Sequence, residues 1–282
     1  MTGLVGVFDS GIGGLSVLQA LRAELPLSRF IYIADSGHAP YGERSDAHVM
    51  ARSRVITAEL VNRQVQALVI ACNTATAVAI EQLRADYPDL PIVGVEPALK
   101  PALVLSQTRR IGVMATRSTL ASAKFKALLA SLSSQAEFVV QPCVGLADAV
   151  ERSAGSNDTL EIKRLCAQYT RELGSFGGSS GQIDTLVLGC THYPFATEQL
   201  RELLGAQVQL VSNGQAVARQ TRLKLSQRVL PAAAQPETLE TVTPLTLLGT
   251  GDPMVLQAAA QRWLPRLPAE PIYRATWLAT TA

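Results

Sequence analysis

Short apolar runs separated by helix-like segments recur along the chain, and most of them end in a small residue followed by polar ones. Val5-Gly6-Val7-Phe8 is the first, Phe30-Ile31-Tyr32-Ile33-Ala34 the second, Leu68-Val69-Ile70-Ala71 the third, and Pro91 to Val95 a fourth. Continuous rather than alternating apolar character predicts strands buried on both faces, as in a parallel sheet covered by helices. Between them, Leu15, Leu18 and Leu21 recur at helical spacing over 15–24, a second helix is predicted over about 46–64, and an alanine-rich helix follows Cys72 and stops before Tyr87-Pro88. From Arg110 the pattern restarts. Arg110 to Thr116 resembles the opening strand, with Gly112 in the place of Gly6 and Thr116 in the place of Ser10. Leu186-Val187-Leu188 repeats the third run, followed by a helix to Leu204, a short strand at 207–211 and a helix over about 214–228. A proline- and alanine-rich stretch at 231–236 reads as a linker. A strand at Leu245 to Gly249 and a helix after Pro253 are expected to return to the first half.

Two related α/β halves are the simplest account of the restart, so the predicted fold class is α/β, two pseudo-symmetric domains with mainly parallel sheets and the active site between them. The first domain is expected to comprise 1–97 plus 212–282, and the second 98–211. The two cysteine-bearing runs are further apart than the two opening strands, which requires an insertion in the second half. The Gly- and Ser-rich stretch Gly174 to Gly181 is its expected place.

Composition narrows the function classes. Hydrophobic residues make up 48% of the 282 positions, and the formal net charge is +2 with the basic residues scattered, so nucleic acid is not the expected primary partner. The most apolar run, 67–80, is interrupted by Asn73 and Thr74 and is too short to span a bilayer. The N-terminus enters a strand pattern with no basic region ahead of it, so a signal peptide is not expected. The cysteines, Cys72, Cys143, Cys166 and Cys190, form no C-x-x-C pair, and with only His38, His48 and His192 there is no metal-ligand spacing. Reduced thiols in a cytosolic protein are the reading, with no metal.

The chemistry is concentrated where runs end. Ala71-Cys72-Asn73-Thr74 and Gly189-Cys190-Thr191-His192 each set a thiol just past a buried strand, where open parallel sheets bind small molecules. One buried cysteine is ordinarily a small core hydrophobe, but two on equivalent turns suggest two proton carriers. A helix start beside each is expected to lower the thiol pKa from about 8.5. The glycines of Asp9-Ser10-Gly11-Ile12-Gly13-Gly14 do not match a dinucleotide fingerprint; their free N–H groups beside a helix start suit a small carboxylate. Tyr41 and Gly42, in the turn-rich loop after the second run, are candidate ligand contacts. His38 and His48 read as structural or solvent-facing. Opposed thiols, with Asp9 and His192 able to exchange protons with them, could remove and replace the α-proton of a small amino acid on two faces.

Taken in order, Val7-Phe8-Asp9-Ser10-Gly11-Ile12-Gly13-Gly14, Asp35 to Gly42, Ala71-Cys72-Asn73-Thr74-Ala75, Gly94-Val95-Glu96-Pro97-Ala98 and Leu188-Gly189-Cys190-Thr191-His192-Tyr193-Pro194 closely resemble the glutamate racemases of the cofactor-independent aspartate/glutamate racemase superfamily. The matching segments cover about the first two thirds of the chain. The resemblance implies a cytoplasmic homodimer that converts L-glutamate to D-glutamate for peptidoglycan, without pyridoxal phosphate, metal or other cofactor. It implies that Cys72 acts on the α-proton of the D-isomer and Cys190 on that of the L-isomer, with Asp9 and His192 assisting and Glu151 a further assisting acid. Asp9, Ser10, Tyr41, Gly42, Asn73, Thr74, Thr116, Thr119, Thr191 and His192 would bind substrate. Ser212-Asn213-Gly214 stands where many relatives have an acid. A racemase for aspartate or another small acid, and a non-catalytic amino-acid-binding protein of the same fold, are the alternatives; one methylene separates the first from glutamate.

Overall fold

A computed structural model describes residues 3–156, 158–227, 244–265 and 274–278; the stretch at 231–236 read as a linker lies outside them. The strands form two sheets in which every described pairing is parallel. β1 (Leu4–Asp9), β2 (Arg29–Ala34), β3 (Ala67–Ile70) and β4 (Ile92–Gly94) belong to the first, and β5 (Arg110–Ala115), β6 (Glu137–Pro142), β7 (Thr185–Leu188) and β8 (Gln209–Val211) to the second. Within the first sheet the order β2-β1-β3-β4 is matched strand for strand by β6-β5-β7-β8 in the second. β9 (Leu245–Gly249) then adds to the free edge of β2, and β10 (Ala275–Trp277) to β9.

Continuous apolar strands are what a sheet covered on both faces requires, and the cores show the coverage. Along β3, Ala67 and Val69 face one core while Leu68, Ile70 and then Cys72 face the other. Helices α1 (Leu15–Glu24), α2 (Asp46–Asn62) and α3 (Asn73–Asp86) alternate with these strands. α2 starts at Ser45, whose hydroxyl accepts from the His48 N–H at 3.3 Å, and its buried stripe includes Val49, Arg52, Ile56 and Leu60. In the second half, α4 (Leu99–Leu105), α5 (Arg117–Ala121), α6 (Ala123–Leu132), α7 (Leu146–Ser156), α8 (Leu160–Leu173) and α9 (Thr197–Leu204) cover the second sheet or link its strands. Most of these fall where the sequence pattern gave no element. The α10 helix (Gly214–Ser226) packs back on α1, and α11 (Pro253–Trp263), opened by an Asp252 cap, packs on α7.

Gly174 to Gly181 forms a loop closed by the Gly177 N–H on the Ile183 carbonyl at 3.0 Å. It enters β7 from the amino end, so it lies at the opposite end of that strand from Cys190. Within the second half, Asp184, 8% exposed, ties the turn between α4 and β5 to the start of β7. Its carboxylate accepts from Ser106 Oγ (2.7 Å), Gln107 N (2.6 Å), Thr108 N (2.8 Å) and Thr185 Oγ1 (2.9 Å). Burial alone would raise its pKa, but these donors outweigh it and hold it below the ordinary value. Its contribution is therefore present at neutral pH and lost as pH falls through the depressed folded value. Asp184→Asn, which supplies one acceptor oxygen where two are used, is expected to lower stability by about 2 kcal/mol. Urea unfolding at neutral pH measures this; a change under about 0.5 kcal/mol would show that the turn is held by something else.

Candidate active site

Cys72 follows β3 and caps α3: its Sγ accepts from the Ala75 N–H at 3.4 Å and lies 3.8 Å from Ser10 Oγ. Cys190 follows β7 by two residues, the corresponding place in the second sheet. Both thiols are buried, and both border one cleft of about 990 Å³ between the two sheets. Of the residues singled out from sequence, all but Asp9, Thr119 and Glu151 border this cleft. Those three stand directly behind it.

Asp9, fully buried, accepts from the Ser10 N–H at 2.7 Å and, on its other oxygen, from Thr191 Oγ1 at 2.9 Å. It caps no helix; the helix behind it starts at Gly14 without a side-chain cap. Burial raises the Asp9 pKa against the pull of His192 and the Thr191 hydrogen bond. Glu151 reaches from α7 into the glycine turn of the other half. Its Oε1 accepts from the Ile12 N–H at 2.7 Å and from His192 Nε2 at 2.7 Å. The turn's anion is therefore the chain's own carboxylate at this N–H, rather than a bound one. Only glycine permits the approach: a Cβ on Gly11 would sit 1.6 Å from Glu151 Oε1, and one on Gly13 2.4 Å from His192 Nδ1.

Because Glu151 only accepts, His192 Nε2 carries a proton, and its Nδ1 faces Cys190 Sγ at 3.6 Å. Burial pulls the imidazole pKa down, but the hydrogen bonds to Cys190 and Glu151 outweigh it and hold it well above its ordinary value. On the other wall the expectation of an acidified thiol does not hold. Burial, and then the charge of Asp9, push the Cys72 thiol well above its ordinary value, and the Ala75 N–H offsets only part of this.

Cross-cleft contacts also include Thr74 Oγ1 to Thr116 Oγ1 at 3.3 Å, with Thr116 held by Thr119 Oγ1 at 2.9 Å. Asn73, 4% exposed and bordering the cleft, finds no partner among the described residues for either side-chain amide atom. Cys143 also borders the cleft, which sequence did not suggest, but its S–H is directed to the Gln141 carbonyl at 3.4 Å. Cys166 lies in the core with its pKa pushed up to about 12 by burial. His38 is half-buried with Nδ1 3.2 Å from Asp35, and His48 packs edge-on against Tyr41. Asp35 and Arg52, which form a buried ion pair holding Tyr41, were also not singled out as site residues. A signal was available: Arg52 falls on the apolar stripe of α2, and a cation there requires a buried partner. Among the described residues, no group of three or more His, Cys, Asp and Glu is placed to hold a metal ion, and no helix is long and apolar enough to cross a membrane.

Two parallel sheets covered by helices each deliver a buried thiol to one cleft. The chain belongs to the Asp/Glu/Hydantoin racemase family, whose model matches residues 15–221. It is 47% identical over 232 residues to the glutamate racemase of Ectopseudomonas mendocina, covering 82% of this chain and 85% of that one. It is 44% identical over 264 residues to the glutamate racemase of Ralstonia pickettii, covering 94% and 89%. The crystal structure of Escherichia coli glutamate racemase in complex with L-glutamate and the activator UDP-MurNAc-ala superposes with a TM-score of 0.83 at 30% identity, over 100% of both chains.

The raised His192 pKa has a definite consequence for stability. Its contribution is present in full below the unfolded value of about 6.5 and is lost as pH rises toward and through the folded one. The stability gap between the protein and a His192→Gln variant should be widest near about pH 6 and narrower near about pH 9 in urea titrations. A gap that stays constant or widens with pH would contradict the assignment of a protonated imidazole.

Proposed function

We propose that the chain is a cofactor-independent racemase that interconverts L- and D-glutamate by moving the α-proton between Cys72 and Cys190. The observation that carries this reading is the pair of buried thiols at equivalent strand ends on one cleft. Glutamate is favoured as the substrate because the curated relatives are glutamate racemases and the superposed Escherichia coli enzyme holds L-glutamate.

Starting from the L-isomer, the Cys190 thiolate takes the α-proton and becomes a thiol, and the electron pair stays on the α-carbon. The Cys72 thiol gives its proton to the opposite face, yielding the D-isomer and a Cys72 thiolate. Proton positions are then restored on each wall separately. His192 releases its Nδ1 proton to the water of the cleft and takes up the one on Cys190, while Asp9, kept protonated more readily by its burial, gives its proton to Cys72 through the Ser10 hydroxyl and regains one from solvent, so one proton leaves and one enters. Glu151 keeps the imidazole charged and oriented. Asn73 and Thr74, Tyr41 and Gly42, and Thr116 and Thr191 supply the polar groups that hold the two carboxylates and the amine; the unpartnered Asn73 amide supports this most directly.

On the same reading, 1–97 with 212–282 and 98–211 are the two domains that close on the substrate. The enzyme is a cytoplasmic homodimer supplying D-glutamate for peptidoglycan, with no metal or cofactor in the reaction and neither nucleic acid nor membrane as partner.

Incubating the purified, reduced protein separately with L-glutamate, L-aspartate and L-alanine should abolish the circular dichroism of glutamate alone. Loss with aspartate instead would change the substrate, and no loss with any would leave a binding protein. Cys72→Ser and Cys190→Ser should each lower racemisation by roughly 10²–10⁴-fold, because a hydroxyl is a far weaker acid than a thiol. Elimination of HCl from a chloroglutamate needs only one base. Cys190→Ser should keep it for the D-type isomer and Cys72→Ser for the L-type; identical preferences in the two folded variants would overturn the facing assignment.

A further inference from the structure

The loop that presents Tyr41 and Gly42 is held from a distant part of the chain. It leaves the end of β2 at Asp35, which is fully buried. The Asp35 carboxylate accepts from Tyr41 Oη at 2.5 Å, from Arg52 Nε and Nη2 at 3.0 and 2.9 Å, and from Thr250 Oγ1 at 2.8 Å. Thr250 directly follows β9, more than two hundred residues on, and its backbone N–H donates to the Ala34 carbonyl at 3.0 Å. The same Thr250 hydroxyl that donates to Asp35 accepts from the Gly37 N–H at 3.1 Å. One side chain thus joins the carboxylate that holds Tyr41 to the backbone of the loop that carries it.

The two segments meet without room for side chains. A Cβ on Gly37 would sit 2.7 Å from the Thr250 carbonyl oxygen, and one on Gly251 3.0 Å from Ser36 Cβ. At the other end of the loop, Gly42 packs on Thr116 across the cleft, where a Cβ would come within 3.0 Å of Thr116 Cβ. Neither thiol, nor Asp9, His192 or Glu151, lies in the 35–44 loop or on the β9 segment.

We propose that Thr250 is a positioning residue for substrate binding: its hydroxyl, shared between Asp35 and the Gly37 N–H, fixes the loop that sets Tyr41 and Gly42 against the cleft. The inference rests on the reading of that cleft as the glutamate site. Because the loop holds parts of the substrate common to both enantiomers, its loosening weakens ground state and transition state together. That signature is a raised KM with kcat kept.

Thr250→Val keeps the shape and removes the hydroxyl. It should raise KM for both L- and D-glutamate by about 5- to 10-fold with kcat within about twofold, and Thr250→Ser should restore the KM. Amide hydrogen exchange over 35–44 should quicken in the Val variant and return in the Ser variant, while α3 is unchanged; this readout does not depend on activity. Unchanged KM and loop exchange in Thr250→Val would overturn the proposal. So would a loss confined to kcat and the unfolding midpoint, or a failure of Ser to rescue. Should the Val variant not fold, Gly37→Ala presses on the same contact from the other side, and a folded Gly37→Ala with parental KM and exchange also overturns it. An unaltered protein inactive on glutamate would defeat the functional reading instead, and the exchange measurement would still decide the role of Thr250.

Discussion

The hydrogen bond of 2.9 Å from the Thr191 hydroxyl to Asp9 joins the two sheets at the point where each delivers its thiol. Parallel sheets place residues past their strand ends on one side, but nothing within a single sheet makes two such ends face each other. Here the facing depends on contacts that cross: Thr191 to Asp9, Glu151 to the Ile12 N–H, and Thr74 to Thr116. The first buries a carboxylate and the second partly buries one, which is tolerable only because each oxygen used finds a donor. The glycines at 11 and 13 are part of the same constraint, since any side chain there would occupy the space of Glu151 or His192.

Burial of the thiols works in two directions at once. It raises the Cys72 pKa, so little thiolate forms at rest, yet the thiolate that does form is a stronger base. The α-proton of an amino acid is a weak acid, and a thiolate acidified by its surroundings would be poorly matched to it. The two walls meet this demand differently. Cys190 has an imidazole in direct contact, charged and anchored by Glu151, whereas Cys72 has only a serine hydroxyl between it and Asp9. The asymmetry lies in the proton partners, not in the position of the thiols. Since enantiomers have equal free energy, weakening either wall must lower kcat/KM equally in the two directions, and the difference between walls can show only in how kcat and KM divide that loss.

Much of this was legible in the sequence, for identifiable reasons. The strands before Cys72 and Cys190 are apolar on both faces, and only covered parallel strands need that, so both thiols could be placed. Most elements between 117 and 185 were not read: β6 is half-exposed, so no continuous apolar run marks it, although the amphipathic spacing of α7 and α8 is a helical signal present in the sequence. The glycine turn was read as suited to a bound small carboxylate, but its Ile12 N–H is taken by Glu151, 139 positions away, and no local pattern encodes such a pairing. The helix start beside Cys72 suggested an acidified thiol; burial, a tertiary property, reversed the direction. Arg52, not singled out, could have been found as a cation on an apolar stripe, whereas Thr250 carried no local signal at all.

The central claim is that two different residues carry the proton on two faces, and isotope exchange tests it most directly. In deuterium oxide, starting from L-glutamate and sampling early, the D-glutamate formed should carry deuterium at the α-carbon, delivered by an exchanged Cys72 thiol. The L-glutamate that remains should still carry protium. D-glutamate that retains protium, or unreacted L-glutamate labelled as fast as product forms, would mean that a single group removes and returns the proton, and would contradict the account.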